Sequence, residues 1–206
     1  QYKTAFVLAH KLREAMVREV QTGEVLEGHV EIDGAYFGGH IRPENRKEDR
    51  KDRRLKEKQT GKRRVVVALR ERAGRVLPFV TKTEAEGVDL AKTHVSRMAT
   101  MSADEASHWD VLHAGWDVDR INHSEAYSDH GKHTNLVESF FARLRFMVAG
   151  QHHGVSPQYL YQYANHAAWL EDNRRTDNGT LAQIVVSNAM GSLVSRQWKG
   201  YWQRAA

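Results

Sequence analysis

Apolar positions along the chain follow two periods, and the changes between them lay out its elements. In residues 4–20, Phe6, Leu8, Leu12, Ala15, Met16 and Val20 recur at helical spacing, predicting a helix begun by Thr4 and ended by Gly23. The pattern then alternates through HVEIDGAYFGG, with Val30 and Ile32 before Asp33-Gly34 and Tyr36-Phe37 after it. This predicts a strand with a bend or bulge just after the acid. RRVVVALRER and RVLPFVTKT are two β-rich runs joined at Ala73-Gly74, a hairpin that completes an antiparallel three-strand meander, and Pro78 places its last strand at an edge. EGVDLAKTHVSRM reads as a helix that offers Val88, Leu90, Ala91, Val95 and Met98 to the sheet. A short strand into Asp104-Glu105, a helical turn and another short strand at Asp119 to His123 follow.

The stretch HTNLVESFFARLRFMV, His133 to Val148, is the most regular of all. Leu136, Val137, Phe140, Phe141, Leu144, Met147 and Val148 form one helical stripe, and Thr134 stands ready to cap it. Farther on, Ser156 as N-cap and Pro157 at the first helical position begin a helix to about Arg175, burying Leu160, Tyr163, Ala167 and Leu170. A final helix spans about Leu181 to Met190. The resulting order β-β-β-α-β-α-β-α is that of a ribonuclease H-like fold, an α/β sheet of mixed direction flanked by helices. At 206 residues the chain is expected to hold one substantial domain, a core over 26–175 with an insertion at 40–64, a helical extension over 1–25 and a helical tail over 176–206. A chain that opens on Gln1 directly into a helix is expected to continue upstream.

Charge is unevenly placed. From Arg42 to Arg64 there are twelve Lys/Arg and five Asp/Glu, a net of +7 in a chain of +5, so the remainder is −2. One basic segment on a near-neutral body points to contact with a polyanion, against the plainer reading of a solvated charge run. There is no cysteine, which excludes disulfides and thiolate zinc sites, and no apolar stretch approaches the length of a membrane span.

The candidate chemistry is carried by acids. Asp33 interrupts an apolar strand, where a carboxylate is costly unless paired or ligating. On the 133–148 helix, Asn135, Glu138 and Arg145 share the stripe opposite the apolar one at i, i+3 and i+10, a set that suits a metal and a phosphate together but also occurs on ordinary surface helices. Asp104 precedes Glu138 by 34 positions (138 − 104). Carboxylates gathered in this way can hold two divalent ions that activate a nucleophile and steady a leaving oxygen. Glu105 reads as a solvent-facing residue or a partner standing behind the ligands, rather than a ligand itself. His130, His133, His152 and His153 lack a recognised ligand spacing for zinc, and contact with phosphate is the other reading open to them. In the tail, Trp198, Tyr201 and Trp202 interleave with Arg196, Lys199 and Arg204, a pattern for stacking on bases or, more simply, for docking the tail on the core.

At VEIDGAYFGG, the arginine-rich segment with GKRRVVVALRERAGRVLPFV, ADEASHWDVLH, RINHSEAYS, HTNLVESFFARLR and YANHAAWLEDNRR, the chain resembles the DDE-type transposases of bacterial insertion sequences, in the subgroup described by Asn as well as Glu at the third position. The resemblance runs from Lys3 to the tail. It implies DNA cleavage and strand transfer with Mg2+ or Mn2+, double-stranded DNA (transposon ends and target) as partner, a homo-oligomer on that DNA, and a place at the nucleoid in the cytoplasm. Asp33 and Asp104 resemble the first two metal ligands. The third is Glu138 by the general scheme and Asn135 by the subgroup's, and Arg145 stands where relatives carry a basic residue, commonly Lys. Arg50, Lys51, Arg53, Arg54, Lys62 and Arg63 are the expected DNA contacts. His166 occupies a position that is acidic in many relatives. Full-length relatives carry an upstream zinc-binding or helix-turn-helix reader that these residues lack. Two other readings compete: an inactive remnant that only binds DNA, and a structure-specific nuclease on the same fold.

Overall fold

A computed structural model describes residues 1–38, 46–50, 61, 63–121 and 133–203. Its organising strand is β2, Arg64–Glu71, whose residues Val65 to Arg70 are all buried. A strand covered on both faces requires a layer on each side. β2 pairs antiparallel with β1 (His29–Phe37) and with β3 (Val76–Thr81). β1 pairs parallel with β4 (Thr100–Asp104), and β4 with β5 (Asp117–Ile121), giving the order β3-β2-β1-β4-β5. That mixed sheet is the ribonuclease H-like arrangement, and β3 with its proline lies at the edge as expected. The bend expected after Asp33 is absent: the β1–β2 register runs unbroken from Val30 opposite Glu71 to Phe37 opposite Arg64. Gly34 serves instead as a gap in the strand surface, because a Cβ there would lie 2.4 Å from Cγ of Glu84.

Alternation along β1 sorts its side chains between two layers. Glu31 opposite Arg70 and Asp33 opposite Ala68 face one layer, while Ile32 opposite Leu69 and Gly34 opposite Val67 face the other. Against the first layer pack α3 (Asn135–Phe146), over β1 and β2, and α4 (Leu160–Asp172), over β3. α1 (Tyr2–Val20) lies on α4 and on α5 (Asn178–Met190). The second layer holds α2 (Gly87–His94), with 3-10 turns at Glu84–Glu86 and Ser107–Ala114. Trp109 there is buried in contact range of Gly87.

Several expected boundaries shift for local reasons. α1 starts at Tyr2 rather than Thr4 and stops at Val20, before the left-handed Gly23. Its inner face includes His10 and Arg13, while Leu8 is exposed. α2 ends at His94 because Val95 turns extended and bridges Leu26, which leaves Met98 in solvent. β5 lies two residues earlier than expected. α3 ends at Phe146, with Met147–Gln151 continuing as a π turn. Ser156 and Pro157 form a turn before α4, which ends at Asp172, and Leu170 is exposed. The tail docks: Trp198 is 1% exposed, its ring 4.3 Å from that of His10.

Candidate active site

Asp33 lies in the middle of β1, beside the parallel strand β4, which ends at Asp104. The backbone N–H of Gly34 donates to Asp33 Oδ1 at 2.7 Å, which favours the carboxylate. Burial outweighs that bond, and the charges of Asp104, Glu84 and Glu138 push the same way, so the Asp33 carboxyl rises to about 7. Acids from β1, β4, α3 and the 84–86 turn thus share one field. Asp104 Oδ1 accepts the N–H of Ala106 at 3.2 Å, and Glu138 Oε1 accepts the hydroxyl of Thr134 at 3.1 Å.

Glu84 is the acid that sequence reasoning passed over. It fills the space left by Gly34, with Cδ and Oε1 each 3.0 Å from where a Cβ would stand. Burial and the charge of Asp104 raise its carboxyl, while Arg63 pulls it down, and its Oε2 is 3.7 Å from His108 Nε2. His108 is itself lowered, chiefly by burial. Nothing in the local pattern separates Glu84 from Glu86, which turns outward to close a capping box with Thr83. The pairing of a strand glycine with an acid fifty positions away emerges only in three dimensions.

The start of α3 departs from expectation. Thr134 does not cap it, because its hydroxyl is engaged with Glu138 and its side chain accepts no helix N–H. The acceptor is Glu31 on β1, with no exposed surface, whose Oε2 takes the N–H groups of Leu136 at 2.9 Å and Val137 at 3.1 Å. Its Oε1 faces Arg72 Nε and His133 Nδ1, each at 3.1 Å, and Arg72 also donates to the carbonyl of His133 at 3.0 Å. Along α3, Glu138 is half-buried, whereas Asn135 and Arg145 are exposed. The Arg145 guanidinium is 5.9 Å from the Phe141 ring and is not among the charges that bear most on Asp33.

Of the expected DNA contacts, Arg63 lies over the Tyr36 ring at 4.1 Å and reaches Glu84 with its charge, so it borders the acids. Arg50 is exposed; Lys51, Arg53, Arg54 and Lys62 lie outside the described residues. Of the four histidines, His133 is tied to Glu31 and His152 meets Tyr163 edge-on, while His130 lies outside the described residues. Glu105 is exposed.

Among the described residues, no three His, Cys, Asp or Glu side chains are spaced to hold a metal ion. The donor set nonetheless fits a hard dication. Its members are carboxylate oxygens, and the raised Asp33 marks a site short of positive charge.

Comparison with known families supplies an independent line. The family model of the ISXO2-like transposase domain matches residues 25–172. No curated protein and no solved structure matches the chain.

Proposed function

The chain belongs to the ISXO2-like transposase domain family, and we propose that it catalyses metal-dependent cleavage and strand transfer of insertion-sequence DNA. The observation that carries this reading is Asp33: a partly buried acid pushed up to about 7, with acids from three other elements bearing on it. A purely structural sheet has no use for that repulsion, and such clusters mark sites built for a cation or a proton. Asp33, Asp104 and Glu138 would hold Mg2+ or Mn2+, which supplies Lewis acidity to phosphoryl transfer.

The remaining roles fall to the chain's own groups. Glu138 is the preferred third ligand over Asn135, because a carboxylate offsets the charge of a dication and an amide oxygen does not. Asn135, exposed one turn before it, orients the scissile phosphate. Arg145 on the exposed side of α3 receives a phosphate of the DNA backbone. Arg63 beside Tyr36, with Arg50, Lys51, Arg53, Arg54 and Lys62, tracks the duplex. On this reading the protein acts on double-stranded DNA at the nucleoid, in the cytoplasm, as a homo-oligomer that brings transposon ends to a target.

The test is a Mn2+-supported assay on oligonucleotides bearing the element's own ends. Wild type is expected to cleave and join, and Asp33→Asn, Asp104→Asn and Glu138→Gln to lose both reactions while still binding DNA. Binding without cleavage by the wild type in either metal would leave only a DNA-binding role. Cleavage of any branched duplex without joining would make it a nuclease. For the third ligand, Glu138→Gln is expected to weaken Mn2+ affinity, and Asn135→Ala to slow the reaction with affinity nearly intact. The reverse order would transfer the ligand role to Asn135.

A further inference from the structure

Glu31 is a carboxylate with no exposed surface, in the interior of a sheet whose inward positions are otherwise mostly apolar. A buried acid of this kind is retained only when its oxygens are satisfied. Both are. One oxygen accepts two backbone N–H groups from the first turn of α3, and the other faces a guanidinium and an imidazole. The bonds join parts of the chain more than a hundred positions apart, since Glu31 and Leu136 are 105 residues distant. Glu31 is also two residues before Asp33 on the same strand, so both side chains project from one face of β1 toward α3.

Those facts restrict what Glu31 does. A helix start needs an acceptor for its free N–H groups, and an ordinary cap comes from the residue just before the helix. Here the cap comes from the strand that carries Asp33. The negative charge also lies at the positive end of the helix dipole. Any slide or rotation of α3 that moved Glu138 relative to Asp33 would break both amide bonds. Arg72, from the end of the β2 hairpin, holds the same carboxylate and the carbonyl of His133, which closes the clamp from the other side.

We propose that Glu31 is the positioning residue of the acidic site: through the first turn of α3 it sets where Asn135 and Glu138 stand relative to Asp33. This rests on the transposase reading above. Glu31 acts through the helix; it touches neither substrate nor cation.

The experiment measures Mn2+ affinity and native-state amide exchange on the folded protein, beside strand transfer. Glu31→Gln keeps one acceptor oxygen but loses the charge and sets an amide NH2 against Arg72 or the helix N–H groups. The expected result is a Mn2+ affinity weaker by about 10- to 100-fold, the range for groups that orient ligands from behind. Faster exchange at the amides of Leu136 and Val137 should accompany it. Glu31→Asp, which keeps the charge on a shorter arm, is expected to fall between. Glu19→Gln serves as the control, because that acid of α1 accepts the indole N–H of Trp169 on α4 and the amide of Asn188 on α5, elements that carry none of the acids. It should lower stability and leave Mn2+ affinity unchanged.

Unchanged Mn2+ affinity in a folded Glu31→Gln overturns the proposal, and so does an equal loss in Glu19→Gln. If Glu31→Gln does not fold, Glu31→Asp and Arg72→Gln are read by the same two measurements, with the same outcomes deciding. A wild type that binds no Mn2+ sinks the metal-dependent reading itself. Wild-type binding that survives Glu31→Gln sinks only the role given to Glu31.

Discussion

Burial holds His166 neutral. It lies on α4, and its imidazole is lowered from 6.5 to about 4, chiefly by desolvation, with Arg13 and His152 adding repulsion. Among the described residues Arg13 has no ion pair; its guanidinium rests 4.1 Å above the Tyr163 ring. The sign follows from proton counting. Below pH 6.5 the unfolded chain takes up a proton that the folded chain refuses until about pH 4, so stability is whole above 6.5 and falls through that window. His10 and His152, both lowered mainly by burial, act in the same direction. Replacing the group with one that cannot titrate, as in His166→Leu, is expected to reduce the stability lost between pH 7 and pH 4.5 by roughly 2 kcal/mol. Urea denaturation at the two pH values measures it, and an unaltered loss would show that His166 is hydrated and free to protonate. Asp33 illustrates the opposite sign, an acid whose charged form the fold disfavours.

At the scale of elements, the contacts that matter are those that pin helices to the sheet. α4 is held by Arg70 of β2, whose guanidinium reaches Asp172 at 3.2 Å and Glu171 at 3.7 Å, and Arg143 of α3 joins at Glu171. α3 is held by Glu31, and the tail by aromatic packing. Trp198 and Tyr201 sit against Phe6, His10 and Tyr159, joining the C-terminal residues to α1 and the turn before α4. Trp198→Ala is therefore expected to destabilise the protein by about 3 kcal/mol, as for other large buried aromatics, with DNA affinity of the folded form unchanged. Equilibrium denaturation alongside a DNA titration separates the readings. A stable variant with weakened DNA binding would mean that these rings stack on bases.

For the whole molecule the division of charge decides the expected behaviour on DNA. The segment Arg42 to Arg64 carries a net of +7 and the rest −2, and the described part of that segment leads into β2 beside the acids through Arg63. An anionic duplex would be drawn to the basic segment while bare carboxylates would repel it, and on the proposed reading a divalent ion would relieve that repulsion. Neutralising Arg50, Lys51, Arg53 and Arg54 together is expected to weaken binding alike for all sequences. The slope of log affinity against log salt should flatten by roughly 3.6 if each contacts one phosphate. A slope equal to wild type would identify the run as a solvated loop.

The order of elements was legible in the sequence because periodicity reports which side of a strand or helix faces inward. It was enough to place Asp33 within an apolar strand, Asp104 at the end of another and Glu138 on the polar stripe of a helix, and to set Pro78 at an edge. Periodicity does not say what stands across the layer. The Asp33-Gly34 pair read as a bend, whereas the strand runs straight and the glycine makes room for Glu84. Thr134 read as a cap by its position before the helix, yet the cap is Glu31, 105 positions from the amide it receives. Leu8, Met98 and Leu170 fitted apolar stripes and lie in solvent, while His10 and Arg13 interrupt one and are buried. Local composition thus determined the secondary structure, the charge division and the kind of acid available. Only the tertiary structure decided which acids share a field and what anchors the helix between them, because both depend on backbone groups and gaps that have no side-chain signature of their own.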